Sequence, residues 1–360
     1  MKLQKQVLRE IEKCYSALGL FIGGEPHLFF AGEGNGSVHV FHGKSFDRHI
    51  TVTEGGGGTM SIVAVPGREG WVMISRGFYS MVESQGSVIE LIRHRDGAFA
   101  GPEQIAALPY LHRFGLVSAP GGAIYLIAAT IADYKRDKED WEYPGHLYYA
   151  LLPDCLDNPF ELEFIRLPGD YYINHGFCVS GQNDREAAYI GCREGAFRIT
   201  PPEQRGGDFN IERLLDIPIS DVAVCDIDGD GEDEIAALLP FHGDRLKLFK
   251  RVGGSYREVY SYPVENDFYH AILGAEIGGE KVFVAGARRI AAQLLLIRWD
   301  KKSRAYVPQV IDEGVGPSNA AVLNTPERDI LLSANRQINQ AAIYVFDNVA
   351  EGAYGQANQS

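Results

Sequence analysis

The 360-residue sequence predicts an all-β fold of seven four-stranded units arranged in a ring, the architecture of a seven-bladed β-propeller. Amphipathic helical patterns are scarce, whereas short apolar runs recur between turns rich in glycine, asparagine and aspartate. Glycine contributes 41 residues, a high proportion that agrees with a chain that reverses direction often. The runs also recur at a nearly constant spacing, and this spacing sets the number of units.

The units become visible when the first apolar run of each one is aligned. Every run then contributes one residue to a shared column, which holds Ser16, Met60, His112, His175, Asp221, His270 and Asn319. Neighbouring members are separated by 44, 52, 63, 46, 49 and 49 residues. A repeat of about fifty residues with four strands is typical of propeller blades. One propeller domain over 1–350 and a polar tail over 351–360 therefore account for the length.

The last unit contains only three predicted strands, so its fourth strand must come from elsewhere in the chain. We predict it over residues 2–11, because KQVLREI there resembles PQVIDEG in the outer strand of the sixth unit. Val7 precedes Ser16 by nine residues, just as Val310 precedes Asn319 by nine. This N-terminal strand would close the ring. The alternative is an amphipathic helix, since apolar residues here also recur at helical spacing.

Charge and composition restrict the classes of partner. The chain has 34 basic and 48 acidic residues and a formal net charge of −14, which argues against binding the phosphate backbone of a nucleic acid. No apolar stretch reaches the roughly 18 residues that a membrane span needs, and the N-terminus lacks the apolar core of a signal peptide. We therefore expect a cytoplasmic protein without a nucleic-acid or membrane partner. Five cysteines without CxxC spacing argue against a disulfide framework or a cysteine zinc site.

Three members of the column are histidines from different units, namely His112, His175 and His270, and Asp221 accompanies them. The start of each innermost strand borders the central channel of a propeller, so these residues can converge despite their separation in sequence. Imidazole nitrogens together with a carboxylate suit Mn²⁺ or Zn²⁺. The column therefore predicts a transition-metal site on the channel axis. The alternatives are a metal-free catalytic or substrate-binding ring, and histidines that only bond backbone groups or water.

The segments between second and third strands open on the same face as the column and are rich in basic side chains, which suits an anionic small substrate. The candidate substrate-binding residues are Arg113, Arg193, Arg288, Arg336 and Asn319. The candidates for proton transfer are His112, His175, His242 and Tyr134. An insertion at 133–146 lies on this face and could form a partial lid or remain a charged surface loop.

Residues 226–234 read DIDGDGEDE, with carboxylates at loop positions 1, 3, 5 and 9 and glycine at position 6. A loop of this kind can surround a hard cation with oxygen atoms. The flanking runs predict strands and position 12 is Ala237, so the loop is not an EF-hand. It resembles the FG-GAP or VCBS repeat, whose blades carry such a loop between the first and second strands. The resemblance implies a structural Ca²⁺ held by Asp226, Asp228, Asp230, Glu234 and the carbonyl of Glu232, and the alternative is a metal-free acidic turn.

The predicted propeller with its histidine column is similar to several carbohydrate lyases and dehydratases, among them oligogalacturonate lyase, rhamnose-glucuronate lyase and aldos-2-ulose dehydratase. The resemblance implies metal-assisted β-elimination on an anionic or oxidised sugar in the central channel. Two other functions stay open, because propellers host many activities. One is a non-catalytic FG-GAP propeller that binds a glycan or a protein, and the other is a propeller hydrolase such as a glycosidase or lactonase.

Overall fold

The computed structural model describes residues 3–182 and 185–347, which form seven four-stranded antiparallel sheets. The predicted all-β fold with seven blades is confirmed. The helical structure within these ranges is a single 3-10 turn, Arg336–Ile338, and no helix there is long and apolar enough to cross a bilayer. The predicted tail at 351–360 lies outside the described residues, as do both ends of the predicted domain, 1–2 and 348–350.

Blades one to four each use four consecutive strands, from the channel outwards. Blade one consists of β2 (Cys14–Ile22), β3 (Glu25–Gly32), β4 (Val38–His42) and β5 (Arg48–Thr53). Blade two consists of β6 (Ile62–Ala64), β7 (Val72–Arg76), β8 (Val88–Arg95) and β9 (Ala98–Ala107). Blade three consists of β10 (Leu111–Ser118), β11 (Ile124–Thr130), β12 (Leu147–Leu151) and β13 (Ile165–Arg166). Blade four consists of β14 (Gly176–Gln182), β15 (Arg185–Cys192), β16 (Gly195–Thr200) and β17 (Asn210–Leu215).

Blades five and six repeat this order, and blade seven combines both ends of the chain. Blade five consists of β18 (Asp221–Cys225), β19 (Glu234–Leu239), β20 (Arg245–Val252) and β21 (Ser255–Ser261). Blade six consists of β22 (Asn266–Ile277), β23 (Glu280–Ile290), β24 (Leu294–Asp300) and β25 (Ala305–Asp312). Blade seven consists of β26 (Pro317–Asn324), β27 (Arg328–Asn335), β28 (Gln340–Asp347) and the N-terminal β1 (Leu3–Glu10).

The ring is closed by the N-terminal strand, as predicted. Strand β1 pairs antiparallel with β28 over most of its length. Val7 is 49% exposed, and Val310 in the outer strand of blade six is 41% exposed, so the two sequence-matched valines occupy equivalent outer positions. The helical alternative is wrong, because the backbone groups of β1 are needed to pair the outer edge of blade seven.

The hydrophobic core is divided into seven layers, one between each pair of neighbouring blades. The layer between blades seven and one, for example, includes Leu28, Phe30, Leu332 and Ile343. The middle strands of a blade face such a layer on both sides, and every residue of β19 is buried. This explains why second strands have continuous apolar runs in the sequence, whereas outer strands such as β21 are mostly exposed.

Neighbouring blades lie close together near the channel, and glycines of the inner strands, among them Gly19 of β2 and Gly115 of β10, stand at these contacts. A Cβ on Gly19 would lie 2.8 Å from Cβ of Leu323, and one on Gly115 would lie 2.6 Å from Cγ2 of Val179. A side chain at either position would push two blades apart, so the narrow channel that holds the site depends on these residues.

Candidate functional site

The channel brings together the predicted histidines of blades three, four and six, each only 2–3% exposed. Nδ1 of His112 lies 3.1 Å from the carbonyl oxygen of His175, and Nδ1 of His175 lies 3.0 Å from that of Ser220. Nδ1 of His270 lies 2.8 Å from the carbonyl oxygen of Ser318. A carbonyl oxygen only accepts hydrogen bonds, so each Nδ1 carries the proton and each Nε2 keeps a lone pair.

Three histidines converge, but not the three predicted as metal ligands. His242, in the loop between β19 and β20, has its Nε2 3.3 Å from Nε2 of His175. One ring nitrogen each from His175, His242 and His270 lies within 4.8 Å of the other two. His112 stands beside this group, with its ring centroid 4.5 Å from that of His175. His242 therefore takes the place in the cluster that the sequence predicted for His112.

The cluster fits a borderline-soft divalent cation. Tetrahedral Zn²⁺ with Zn–N bonds of about 2.0–2.1 Å places two ligand nitrogens about 3.3 Å apart, as His175 and His242 are. Metal-ligating histidines also usually donate the second ring N–H to a fixed acceptor, as His175 and His270 do. Because Nε2 of His175 is an acceptor, the Nε2–H group of His242 donates the hydrogen bond between them in the metal-free state. A bound cation would take the place of that hydrogen atom.

Burial keeps these imidazoles in the neutral form, which is the form that binds metals. Desolvation lowers the pKa of His175 to about 3. Desolvation, reinforced by neighbouring histidines and arginines, also places the pKa of His112, His242 and His270 well below the usual value.

β-Bulges decide which side chains of the inner strands enter this part of the channel. The pairing of first and second strands shifts register at Tyr15, His112, His270 and Ser318. A bulge adds one residue and re-aims its side chain. In blades one and seven the bulge residues are Tyr15 and Ser318. The sequence column names the residues that follow them, Ser16 and Asn319, so in these two blades it is wrong by one residue.

Tyr15 was missed by sequence reasoning for this reason. Its hydroxyl oxygen lies 3.2 Å from Nε2 of His270, and the side chain is buried. Burial raises the pKa of Tyr15 to about 12, so the phenol stays protonated. A neutral phenol beside the histidine nitrogens can donate a proton or a hydrogen bond to a ligand.

Asp221 does not join the histidines. Its Oδ1 accepts hydrogen bonds from the backbone N–H groups of Phe177 (3.1 Å) and Val222 (2.9 Å). Its Oδ2 lies 4.0 Å from Nη2 of Arg113. Arg113 follows the His112 bulge and, with Asn319, lines a separate cavity at the other end of the channel. The structure therefore places Asp221, Arg113 and Asn319 away from the histidine cluster.

Above the histidines the channel widens into a cavity of about 460 Å³, which we call the histidine cavity. Its walls combine basic and aromatic side chains with two carboxylates. The lining residues other than histidine include Arg288, Arg289, Arg336, Lys138, Phe78, Trp141, Phe241, Phe268, Glu33 and Glu139. Four basic against two acidic side chains make this cavity locally positive in a protein of formal net charge −14.

Of the three arginines in this wall, Arg288 is the one that lacks an acidic partner within salt-bridge distance in the described structure. Arg336 pairs with Glu33, and Arg289 lies 3.4 Å from Asp267. Arg288 bonds only the neutral amide of Gln337, at 3.2 Å through Nη2. Desolvation and the neighbouring Arg336 lower the pKa of Arg288 to about 10, so it remains charged at neutral pH. An incoming carboxylate would supply the missing negative charge.

Two further predicted residues lie outside the histidine cavity. The Tyr134 side chain is 43% exposed and packs edge-on against Tyr143. The Arg193 guanidinium lies over the ring of Tyr172, 5.2 Å from its centroid. Neither residue lines the cavity, so the structure brings Arg288, Arg336 and His242 to the site but not Tyr134 or Arg193.

The insertion at 133–146 covers part of the cavity mouth. Trp141 lines the cavity, packs edge-on against Phe241 and receives the Lys135 ammonium 3.2 Å from its ring centroid. His146 bonds Asp133 at 2.6 Å and is not among the residues that line the cavity. The insertion thus contributes an aromatic wall that a sugar ring or another flat ligand can stack against.

Two aromatic residues of the cavity sit in the left-handed backbone region. His242 has φ +47° and Phe268 has φ +59°, and their rings stack with centroids 4.1 Å apart. Non-glycine residues adopt this conformation at a cost and are concentrated at functional sites. In this backbone conformation the His242 ring stacks on Phe268 and contacts His175. A loop residue held in this way has no periodic signal in the sequence.

The acidic loop of blade five is at a different place in the fold and is organised around a lysine. The Lys250 ammonium bonds Asp228, Asp230 (2.8 Å) and the fully buried Glu234 (3.0 Å). Oxygen atoms of Asp226, Asp228 and Glu234 lie within 4.8 Å of one another, as ligands of one cation would. The loop predicted to bind calcium therefore has a cationic group of the protein within its ring of oxygens.

No protein-family model matches the sequence, and no curated protein matches it. Among solved structures, the crystal structure of Saccharomyces cerevisiae Sqt1 is similar, with a TM-score of 0.53 and 10% identity. The match covers 89% of this chain and 80% of that chain. A likeness at this identity concerns the fold and agrees with the ring of blades described above.

Proposed function

We propose that the protein is a metal-dependent lyase or dehydratase that acts by β-elimination on an anionic or oxidised sugar bound in the histidine cavity. The observation that carries the proposal is the convergence of His175, His242 and His270 beneath Arg288, an arginine without an acidic partner among the described residues. In two of these histidines, His175 and His270, Nδ1 is also bonded to a backbone carbonyl. The proposal includes a cytoplasmic location, where such an enzyme would process imported sugars, and descent of the fifth blade from an FG-GAP repeat.

The roles of the residues follow from their placement. His175, His242 and His270 would hold Zn²⁺ or Mn²⁺, which when bound supplies a Lewis acid that polarises the carboxylate or carbonyl of the substrate. Arg288 would bind the same carboxylate, because a guanidinium matches its two oxygens. Both effects acidify the C–H group next to the carboxylate.

His112 is the best-placed base. It lines the cavity, its Nδ1–H is bonded to a backbone carbonyl, and its low pKa leaves Nε2 free to accept a proton. When His112 takes the proton from the acidified carbon, a C=C bond forms and the bond from the adjacent carbon to oxygen breaks. The leaving oxygen needs a proton, and the hydroxyl of Tyr15 lies close enough to the histidines to give one.

Metal content is the first test. We expect the purified protein to contain about one Zn²⁺ or Mn²⁺ per chain by elemental analysis, and His175→Ala and His270→Ala to lose it. His49→Ala is the control, since His49 lies on the exposed strand β5 far from the channel. Absence of a transition metal from the wild type, even after incubation with Zn²⁺ or Mn²⁺, would contradict the proposal.

Activity is the second test. Uronic-acid oligosaccharides should yield products with the ultraviolet absorbance of a C=C bond conjugated to a carboxylate. Arg288→Met should raise KM and lower kcat/KM, whereas His112→Ala should lower kcat. Products without a new double bond would favour hydrolysis instead.

A non-catalytic glycan-binding propeller is the second candidate, and the aromatic wall of Trp141, Phe241 and Phe268 favours it. This function predicts that sugars bind in the cavity and are released unchanged. Calorimetry with the same oligosaccharides distinguishes the two, because Trp141→Ala would then abolish binding while metal removal would leave it unchanged.

A further inference from the structure

We propose that the histidine cavity selects a sugar with a carboxylate over a neutral oxidised sugar, and that Gln337 is the residue that sets this preference. Its amide holds two arginines beside the cavity without neutralising their charge. The inference rests on the proposed function for the place of the ligand, and it narrows the substrate class. It requires neither a bound metal nor catalysis.

The side-chain oxygen of Gln337 accepts hydrogen bonds from two arginines. Nε and Nη2 of Arg288 donate to Oε1 at 3.4 and 3.2 Å, and Nη1 of Arg336 donates to it at 3.4 Å. The amide orientation follows from these donors, because the reverse orientation would turn its NH₂ group toward them. Most of these bonds are longer than the usual range of about 2.7–3.2 Å, so a stronger acceptor can compete for the arginines.

The backbone around Gln337 keeps its side chain in this position. Gln337 lies in the 3-10 turn Arg336–Ile338, and its N–H donates to the carbonyl oxygen of Gly316 at 3.3 Å. Gly316 has φ +57°, and a Cβ there would lie 2.6 Å from Cβ of Gln337. Glycine thus supplies both the left-handed backbone and the space that the glutamine occupies.

The charges in this part of the wall do not cancel. Oε2 of Glu33 accepts a hydrogen bond from Nε of Arg336 at 2.5 Å, whereas Arg288 has only the neutral amide. These groups therefore carry one net positive charge. The polar atoms that are buried without a partner in the described structure include none of Arg288, so its Nη1 is accessible from the cavity.

A carboxylate satisfies this arrangement better than a carbonyl group does. A hydrogen bond between two charged groups is roughly twice as strong as one between neutral groups, and a carboxylate also neutralises the guanidinium. A ketone or aldehyde oxygen would accept a hydrogen bond from Nη1 of Arg288 but leave its charge without a counter-ion. Glutamate at position 337 would supply that counter-ion from the protein itself, and glutamine leaves the place to the ligand.

The test is calorimetry of the full-length protein with D-glucuronate and with D-glucose, which lacks the carboxylate. We expect the wild type to bind D-glucuronate at least about tenfold more tightly than D-glucose. Gln337→Glu keeps the shape of the side chain and adds the negative charge. It should weaken D-glucuronate binding at least about tenfold and leave D-glucose binding unchanged.

Gln309→Glu is the matched control. Oε1 of Gln309 also accepts a hydrogen bond from an arginine, Nε of Arg298 at 3.5 Å, but it lies on an exposed part of strand β25. This variant adds the same charge outside the cavity and should bind D-glucuronate as the wild type does. Urea denaturation separates specificity from damage to the turn, because Gln337→Glu should be at least as stable as the wild type while its affinity falls.

A crystal of the wild type soaked in D-glucuronate tests the contact even if Gln337→Glu does not fold, and we expect the carboxylate on Nη1 of Arg288. A carboxylate bound elsewhere, equal wild-type affinity for the two sugars, or no D-glucuronate binding at millimolar concentration would each overturn the inference. So would wild-type affinity in Gln337→Glu or an equal loss in Gln309→Glu. These results leave the metal test unaffected, and D-glucuronate binding without any elimination product would contradict the lyase alone.

Discussion

Replacement of Lys250 by methionine tests how the acidic loop of blade five is stabilised. The lysine ammonium bonds three carboxylates, and its side chain is only 15% exposed. Methionine fills similar space but removes the charge. Asp228 and the buried Glu234 would then face each other without a cation, and Lys281, 3.8 Å from Asp226, reaches only the edge of the group.

The magnitude follows from the burial of the partners. Removal of one member of a buried ion pair typically costs about 3–5 kcal/mol, because the remaining charge stays buried without a partner. Asp230 is 52% exposed and contributes little. We therefore expect Lys250→Met to lower the free energy of unfolding by about 2–4 kcal/mol. If the carboxylates that Lys250 leaves then bind calcium, the ion at a hundred times its Kd would restore about 2.7 kcal/mol of the free energy of unfolding.

The assay is urea denaturation with EGTA or with calcium. In wild type we expect the same midpoint in both, because Lys250 takes the place of the ion, and in Lys250→Met we expect calcium to raise the midpoint. Lys247→Met is the control, since Lys247 is on the same strand and pairs with the 44%-exposed Glu258. Its loss should cost less than about 1 kcal/mol.

Two results would refute this reasoning. Calcium could stabilise the wild type, in which case the loop binds the ion that its FG-GAP resemblance implies and Lys250 moves aside. Lys250→Met could also be as stable as Lys247→Met in EGTA, in which case the three carboxylates do not need the lysine.

Three other changes test the fold and the channel. Gly57→Ala would place a Cβ 1.7 Å from the carbonyl oxygen of Gly34 and should lower the free energy of unfolding, measured by urea denaturation, by about 1–3 kcal/mol. Gly36→Ala meets nothing within 4 Å and should leave it unchanged. Deletion of residues 3–10 should lower the melting temperature and promote association, because β28 becomes an open edge; an unchanged melting temperature would argue against closure by β1. Burial raises the pKa of Asp221 to about 7 in the folded protein. As the pH rises, Asp221 therefore loses its proton in the unfolded chain before it does so in the folded protein, and the free energy of unfolding of the wild type should fall between about pH 4 and pH 7. Asp221→Asn should therefore gain up to about 4 kcal/mol relative to wild type between pH 4 and pH 8 in urea denaturation, and an equal pH dependence of the two proteins would contradict the shift.

The sequence predicts the propeller well because its signals are periodic. Apolar runs reflect strands buried between blades, and a spacing of about fifty residues reflects repeated units of the same design. Even the closing strand β1 could therefore be found, from the match between Val7 and Val310. The site is only partly periodic. His175 and His270 follow the column, whereas bulges move the channel residue by one position and bring in Tyr15 in place of Ser16.

Other parts of the site depend on contacts that no spacing records. His242 reaches the cluster from a loop through a left-handed backbone, and its position depends on packing against Phe268. The acidic loop has the spacing of a cation site, but the group inside it comes from Lys250, on a strand that follows the loop. Long-range partners of this kind become visible only when the blades are assembled.

The hydrogen bonds from His112, His175 and His270 to carbonyl groups each cross from one blade to the next. Each ring orientation is thus set by the angle between two blades, which the number of blades fixes at about one-seventh of a turn. Propellers can gain or lose blades by duplication or deletion of a repeat, and such a step would alter every one of these angles at once. A descendant with six or eight blades could retain all three histidines in its sequence and still lose their convergence, so the chemistry of this channel would oppose evolutionary change in blade number.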